Sequence, residues 1–313
     1  MQKHAPVLLL VNPTSGGGQA RAKLPAIEAT FNECKVNYRL RFTETDLHAA
    51  AIVRQALSSR PKVGIAVVGG DGTLNEAVNG FFADDGSLLG RESWLGLLPS
   101  GSGSDFARSM HLPKQGGEAV RYMLASATRS LDVGHVKYTT EHGQMAERYF
   151  LNIASFGLSG ATDRIVNRSS KLLGRFAHLN GALRALHQYK PQDIELIPDG
   201  RGSIKRKSWC TVIANGQFFG GGMHIAKNAN LQDGYFELID IGTMSFLKKL
   251  SFGTSLYGNT SKLPNEVIAH RIQHLKALPS DPSSQIPIDL DGESPGFLPA
   301  EFKVLPQALR FRG

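Results

Sequence analysis

Cysteine is scarce in this chain of 313 residues, which contains only Cys34 and Cys210. The two lie far apart and form no CxxC pair, so we expect no disulfide framework or cysteine zinc site, and a reducing cytoplasm fits. Long apolar runs are also missing. The first run, before Asn12, has five residues, too few for a signal peptide, and none approaches the roughly 18 needed to span a bilayer. Any membrane contact should therefore be peripheral.

Several common catalytic motifs are absent as well. No GxxxxGK[ST] occurs, which excludes a Walker-type nucleotide triphosphatase. Asp105 is followed by Phe106 and Ala107 rather than Phe-Gly, so the protein-kinase set is missing. There is no GxSxG esterase elbow, and none of the ten histidines shows HExxH spacing.

Basic residues are in excess. Lys and Arg number 35 against 27 Asp and Glu, which gives a net charge of +8. Such a surplus favours anionic partners, such as nucleotide phosphates, anionic lipid head groups or nucleic acid, although solubility alone explains it equally well. The length is sufficient for two domains, each with its own core.

The most informative segment is the glycine-rich stretch Gly69–Gly72. It follows β-branched residues typical of a buried strand, and a helical pattern begins at once. Glycines let phosphate oxygens approach the backbone amides, and the helix start offers unpaired N–H groups. Thr73 and Glu76 have the spacing of a capping box. Asp71 would repel a bare phosphate, so it indicates a divalent cation or an acid/base group; a tight turn of any α/β protein is the alternative.

The first 130 residues alternate strand and helix signals. Three of the predicted strands end in Gly/Ser-rich loops, and in an open parallel sheet such ends meet at one rim, where ligands bind. The predicted strands are Val7–Val11, Val36–Thr43, Val63–Val68 and Trp94–Leu98, and the predicted helices run to about Phe31 and over Asp46–Ser58. We therefore predict an α/β domain over residues 1–130 with a three-layer, Rossmann-like parallel sheet.

After Leu131 the pattern changes to short β segments, which favours a mainly antiparallel β-sandwich over residues 131–304. We expect residues 305–313 to return to the first domain. Two helices, about Ser170–Gln188 and Ser245–Tyr257, interrupt the strands. The predicted strands are Leu131–Tyr138, Arg148–Ser155, Asp193–Ile197, Ser208–Ala214, Tyr235–Ile241, Val267–Leu275 and Gln285–Leu290.

The helix from Lys171 carries leucines on one side with interleaved basic residues. Packing against the core is the favoured interpretation. The alternative is a basic helix that rests on an anionic membrane and gates lipid entry.

Two segments resemble a known family. The Gly-Gly-Asp-Gly-Thr string resembles the signature shared by diacylglycerol kinases, sphingosine kinases and NAD kinases. The loop from Pro99 to Arg108 resembles the Pro-x-Gly-Thr-x-Asn-Asp-Phe-Ala-Arg segment of the diacylglycerol kinase catalytic domain, which NAD kinases lack in this form. Ser102 replaces the family's Thr and keeps its hydroxyl, whereas Ser104 replaces Asn, which puts one nucleotide contact in doubt.

The resemblance implies ATP and Mg²⁺ as cofactors. Asp71, with Asp105, would organise the catalytic Mg²⁺. The family's Asp-Gly-Glu segment corresponds to Asp291-Gly292-Glu293, in which Glu293 is the proposed general base and Asp291 an accompanying catalytic carboxylate; taken alone, this segment is a hairpin turn. The implied nucleotide site consists of Asn12, Pro13, Thr14, Ser15, Gly16, Thr43, Gly69, Gly70, Asp71, Gly72, Thr73, Leu74, Asn75, Gly101, Ser102 and Asp105.

The segment from Asn230 to Tyr235 is similar to the place where bacterial members hold a structural Mg²⁺. The implied ligands are the Asp233 carboxylate and backbone oxygens of Asn230 and Tyr235, a hard-oxygen set that suits this ion. Asp-Gly is also a common hairpin turn, and this alternative stays open.

The resemblance thus implies a bacterial-type lipid kinase that phosphorylates the primary hydroxyl of diacylglycerol or a related lipid. We expect it in the cytoplasm, peripherally associated with the inner face of the membrane, with anionic lipids favoured and no nucleic-acid partner. A homodimer is a further implication of the resemblance alone. NAD kinase-like activity on a soluble acceptor and a non-catalytic lipid- or nucleotide-binding regulator remain the alternatives.

Overall fold

The computed structural model describes residues 6–45, 47–60, 62–162, 189–258 and 263–313. The chain forms two compact units, the first comprising Met1–Val133, Gly220–Gly222 and Pro306–Gly313, and the second Gly134–Phe219 and Met223–Leu305. The sequence placed a boundary near residue 130. The helix predicted over Ser170–Gln188 and the predicted helix start at Asp46 lie outside the described residues.

The first unit alternates strands and helices. Its elements are β1 Val7–Val11, α1 Ser15–Glu33, β2 Tyr38–Phe42, α2 His48–Ser59, β3 Gly64–Gly69, α3 Asp71–Asn79, β4 Trp94–Pro99, α4 Asp105–Ser109 and α5 Gly116–Ala125. The strand order is β2-β1-β3-β4, all parallel, with Leu9 of β1 opposite Leu40 and Ala66. The predicted parallel α/β sheet is thus confirmed.

Helices cover this sheet because every residue of β1 is apolar and buried. Successive side chains of a strand point to opposite faces. Val7, Leu9 and Val11 pack in one cluster with residues of α1 and α5, while Leu8 and Leu10, also buried, point the other way. A strand that is apolar on both faces is what a doubly covered parallel sheet requires.

The second unit is antiparallel. It contains the end of β5 Thr128–Thr139, then β6 Met145–Phe150, β7 Ile153–Gly157, β8 Gln192–Pro198, β9 Ile204–Ala214, β10 Phe218–Phe219, β11 Met223–His224, β12 Phe236–Gly242, α6 Phe246–Ser255, β13 Val267–Ile272, β14 His274–Pro279, β15 Ile288–Leu290 and most of β16 Phe297–Arg312. Pairs such as β9–β12 and β8–β14 are antiparallel, as predicted. Stacked rings of Phe150 on Phe236 and of Phe156 on Phe302 lie in its core.

Two predicted strands are each broken into two. The stretch Arg148–Ser155 divides into β6 and β7, and Val267–Leu275 divides into β13 and β14. At each break an aspartate with left-handed backbone accepts main-chain N–H groups: Asp291 (φ 51°) at the first and Asp199 (φ 49°) at the second. These amides are satisfied by a carboxylate rather than by a neighbouring strand, so the ladder stops there.

Helix α5 and strand β16 are among the elements that sequence analysis missed. Helix α5 begins with Gly116 and Gly117, which are weak helix formers, and this start hid it. Strand β16 runs for 16 residues despite containing Pro299 and Pro306, and proline is a poor predictor of strand.

We predict that Phe302→Ala lowers the free energy of unfolding by about 3–5 kcal/mol, because the buried ring leaves a cavity beside Phe156. Urea titration followed by circular dichroism measures it. Met145→Ala is the control in the same unit, since Met145 is 66% exposed and should change stability by no more than about 0.5 kcal/mol. Equal effects of the two substitutions would contradict this account of the core.

Candidate active site

Three loops of the first unit meet at the carboxyl ends of β1, β3 and β4. They meet through the main chain. A Cβ on Gly16 would lie 2.1 Å from the carbonyl oxygen of Ser100, and one on Gly101 would lie 2.5 Å from the Cα of Gly70. Gly16 also has left-handed backbone (φ 62°). Only glycine fits such approaches, so these residues bring the three backbones within contact.

A side-chain bond joins the first of these loops to α3. The Asn12 amide Nδ2 donates to Thr73 Oγ1 at 3.0 Å, while Asn12 Oδ1 accepts from the backbone and hydroxyl of Thr14. The predicted capping box is therefore wrong. Helix α3 begins at Asp71 with Gly70 as its N-cap and no side-chain cap. Thr73 therefore lies inside the helix, where its hydroxyl accepts from Asn12, and Glu76 accepts the amide hydrogen of Ala49.

Asp71 connects α3 to the next loop. Its carboxylate accepts hydrogen bonds from the amides of Asp105 at 2.9 Å and Phe106 at 3.1 Å, the first two residues of α4. An acidic side chain at a helix N-terminus is favourable. Burial nevertheless raises the pKa of Asp71, and these hydrogen bonds together with nearby Arg108 oppose the increase.

Asp105 lies beside it. Its Oδ1 accepts from Arg108 Nη1 at 2.8 Å and its Oδ2 from the amide of Gly221 at 2.8 Å. Burial raises the pKa of Asp105, and the charge of Asp71 raises it further, against the Gly221 hydrogen bond and Arg108. A Cβ on Gly103 would lie 3.4 Å from Asp71 Oδ2 and 3.8 Å from Asp105 Oδ2. Two carboxylate oxygens therefore border one point, and such oxygens are ligands that Mg²⁺ accepts.

Ser104, which departs from the family pattern, shapes the loop after β4. It has left-handed backbone (φ 55°), and its Oγ donates to the carbonyl oxygen of Gly101 at 3.0 Å. Ser102 is exposed in the same loop. Thr43 follows β2 and its amide donates to the carbonyl oxygen of Val11 at 2.9 Å. The predicted nucleotide residues of the first unit thus lie on strand ends and helix starts, with Leu74 and Asn75 buried inside α3.

The acidic segment of the second unit follows β15. Asp291 accepts the amides of Leu151 at 3.0 Å, Asn152 at 3.2 Å and Ile153 at 2.8 Å. Its carboxylate therefore fixes the turn between β6 and β7. Neighbouring Glu293 has a different partner, since its Oε2 accepts from Arg148 Nη1 at 2.6 Å.

Sequence reasoning missed Arg148 as a partner for the predicted base. Arg148 alternates with other residues along β6, and no local pattern distinguishes it.

Sequence reasoning also missed Lys23, because no local pattern distinguishes it either. Its Nζ donates to the carbonyl oxygens of Pro99 at 2.8 Å and Lys114 at 2.9 Å, which ties α1 to the end of β4.

The turn predicted to hold a structural metal already has a cationic partner. Asp233 Oδ2 binds Arg271 at 2.5 Å and its Oδ1 accepts the amide of Tyr235 at 3.1 Å, while the Asn230 side chain accepts the amide of Gln232. Within the part of the chain that is described, no group of three or more His, Cys, Asp or Glu residues could hold a metal ion. One carboxylate with an Arg partner does not fit Mg²⁺ well, because the guanidinium already balances its charge. Metal binding there stays a prediction.

Comparison with known proteins identifies the class. Residues 6–136 match the family described as the diacylglycerol kinase catalytic domain, and residues 152–312 match the YegS C-terminal NAD kinase beta sandwich-like domain. The chain is 28% identical over 305 residues to the diacylglycerol kinase of Bacillus subtilis strain 168, covering 94% of this chain and 91% of that protein.

Solved structures show the same fold. A diacylglycerol kinase from Bacillus anthracis strain Sterne superposes with a TM-score of 0.71 at 18% identity, covering 100% of this chain and 98% of that one. Yeast NADH kinase complexed with NADH gives a TM-score of 0.51 at 9% identity, covering 99% and 83%.

The chain therefore belongs to the diacylglycerol kinase catalytic-domain family and is a lipid kinase, as the sequence resemblance predicted. Its substrates are accordingly a lipid and ATP. Over the described residues, the structure contains no helix long and apolar enough to cross a bilayer.

The approach of Gly16 to Ser100 gives a test of the loop assembly. We predict that Gly16→Ala destabilises the protein by about 1–3 kcal/mol more than Gly17→Ala, because both positions have positive φ but a Cβ on Gly17 meets nothing within 4 Å. Thermal unfolding of both variants measures the difference. Equal stability of the two would contradict a tight contact between these loops.

Proposed function

We propose that this lipid kinase transfers the γ-phosphoryl group of ATP to the primary hydroxyl of a diacylglycerol-like lipid and releases a phosphatidic-acid-like product. The reaction takes place at the inner face of the cytoplasmic membrane, where the lipid is presented. Full-length similarity to proteins named diacylglycerol kinase supports this substrate class.

The convergence of the three loops carries the proposal. Helices α1 and α3 both begin without a side-chain cap. The first-turn amides of α3 therefore remain for an anion, and the helix dipole favours negative charge there. Gly69–Gly72 and Ser100–Gly103 bind the phosphates of ATP through backbone amides, and the loop Asn12–Gly16 with Thr43 completes the nucleotide site.

Asp71 and Asp105 would hold Mg²⁺; the proposal is supported by their carboxylate oxygens, which border one point beside Gly103. When bound, the ion neutralises charge on the β- and γ-phosphates. The chain itself mainly positions the reactants, because the transition state of phosphoryl transfer is loose and gains most from charge stabilisation.

Glu293 accepts the proton of the lipid hydroxyl as general base. Arg148 orients its carboxylate through the 2.6 Å hydrogen bond. Asp291 acts through the turn it fixes, since its oxygens bind three amides of the β6–β7 connection. Assembly as a homodimer remains a prediction without a structural argument.

We predict that Asp71→Ala and Glu293→Gln each reduce turnover at least about 10²-fold, the lower range for a positioned acid/base group. Turnover on diacylglycerol vesicles measures this, with circular dichroism to confirm folding. Glu195→Gln is the matched control, because Glu195 in β8 pairs with Lys205 at 3.8 Å and has no role in the proposed site; it should retain wild-type turnover. Near-wild-type activity of either folded site variant would disprove its assigned role.

A substrate panel tests the proposed function as a whole. The wild-type protein is incubated with radiolabelled ATP and Mg²⁺ together with diacylglycerol vesicles, NAD in buffer, or buffer alone. We expect labelled lipid and no labelled NAD. Labelled NAD without vesicles would favour the soluble-acceptor alternative, and ATP binding with no product from any acceptor would favour a regulator.

A further inference from the structure

Helix α6 has two apolar faces. Phe252 and Leu256 are buried in a hydrophobic cluster of the second unit, as expected for a helix packed on a sheet. A surface helix ordinarily has one such stripe and a polar opposite face. Here four further apolar side chains are exposed: Phe246 (50%), Leu247 (77%), Leu250 (45%) and Tyr257 (63%).

The exposed residues lie together on the side opposite the core. At about 100° per residue, Leu250 lies roughly 60° from Leu247 around the helix axis, and Phe246 about 100° in the same direction. Phe252 and Leu256 lie on the other side, roughly 140° and 180° from Leu247. Phe246, Leu247 and Leu250 therefore form one stripe rather than scattered surface positions, and Tyr257 follows two residues after the helix. A contiguous apolar patch indicates a binding surface.

The segment that carries this stripe has a surplus of positive charge. Residues 241–265 contain no Asp or Glu, and helix α6 carries Lys248 and Lys249; the first acidic residue after this segment is Glu266. Lys248 is 45% exposed and contacts Glu266 at 2.5 Å. Lys249 lies with its Nζ 3.4 Å from the centroid of the Trp209 ring. Apolar residues on a segment with a surplus of positive charge are complementary to a bilayer that contains anionic lipid.

The helix is fixed before it meets any partner. The hydroxyl of Ser245 caps its N-terminus by accepting the amide hydrogen of Lys248, and its inner face is anchored by Phe252. Binding through the outer stripe therefore requires no ordering of this segment, which lowers the entropic cost of association.

We propose that α6 is a membrane-docking element whose outer stripe inserts at the head-group level of an anionic bilayer. The inference rests on the proposed function, because a kinase acting on a diacylglycerol-like lipid must reach a substrate that stays in the membrane. Leu247 and Leu250 enter the apolar boundary, while Lys248 approaches lipid phosphates.

Vesicle sedimentation tests the docking directly. The vesicles contain equal parts phosphatidylcholine and phosphatidylglycerol, with pure phosphatidylcholine as comparison. We expect the double variant Leu247→Glu, Leu250→Glu to bind the anionic vesicles at least about tenfold more weakly than wild type. Tyr122→Glu is the control, because Tyr122 is an apolar residue 39% exposed on helix α5; it should bind like wild type. Unchanged binding of the double variant would overturn the proposal.

A positive signal comes from Leu247→Trp. We expect its fluorescence to shift to the blue with anionic vesicles and to be quenched by brominated lipid, whereas Tyr122→Trp shows neither change. Absence of both changes in Leu247→Trp would contradict insertion. Size-exclusion chromatography tests whether a second copy of the chain, rather than a membrane, binds the outer stripe of α6. Loss of a dimer in the double variant with unchanged vesicle binding would overturn membrane docking.

Activity separates this inference from the proposed function. With a short-chain diacylglycerol below its aggregation concentration, the double variant should match wild type, while its kcat/KM on vesicles falls at least about tenfold. A similar loss on the short-chain substrate would overturn docking as the role of α6. If wild type labels neither form of diacylglycerol but vesicle binding still depends on Leu247 and Leu250, the proposed function fails and docking stands.

Discussion

The arrangement of the candidate site depends on one buried carboxylate. Asp71 at the start of α3 accepts the first two amides of α4, and this pair of hydrogen bonds joins the loop after β3 to the loop after β4. Placing this carboxylate inside the protein costs free energy, since burial disfavours its ionised form and raises the pKa of Asp71. Because burial penalises the charge of this carboxylate, a positive partner at this position would be stabilising, and a divalent cation is one such partner.

The sequence predicted the parts of this site that follow from local chemistry. Glycine-rich strand ends, the acidic residue between glycines and the parallel sheet could all be read from short patterns, because each depends on neighbouring residues. The contact of Gly16 with Ser100 could not be read in this way. It arises from the sheet order, which brings separate loops to one edge.

The capping-box error and the two broken strands have one feature in common: a distant side chain bonds backbone or hydroxyl groups that local rules assigned elsewhere. Asn12 binds the hydroxyl of Thr73 and removes it from the capping role that its spacing suggested. Asp291 and Asp199 end strands that looked continuous, since their carboxylates accept amides from segments far away in the chain. Hydrophobic periodicity depends on neighbouring residues and contains no information about such distant partners. It therefore predicts the strands but not their interruptions.

The first unit is assembled from three stretches of chain: Met1–Val133, Gly220–Gly222 and Pro306–Gly313. The two short stretches are as necessary to the unit as the long one. Residues 306–313 bring Phe311 beside Leu95 of β4 and edge-on to Phe106, and Gly221 supplies a hydrogen-bond donor to Asp105. A fragment that stopped at residue 133 would lack both. For the same reason, recombination between relatives cannot exchange this half of the protein as one continuous cassette. Any inherited change near Phe106 has to remain compatible with residues 306–313, which lie some two hundred residues further along the sequence.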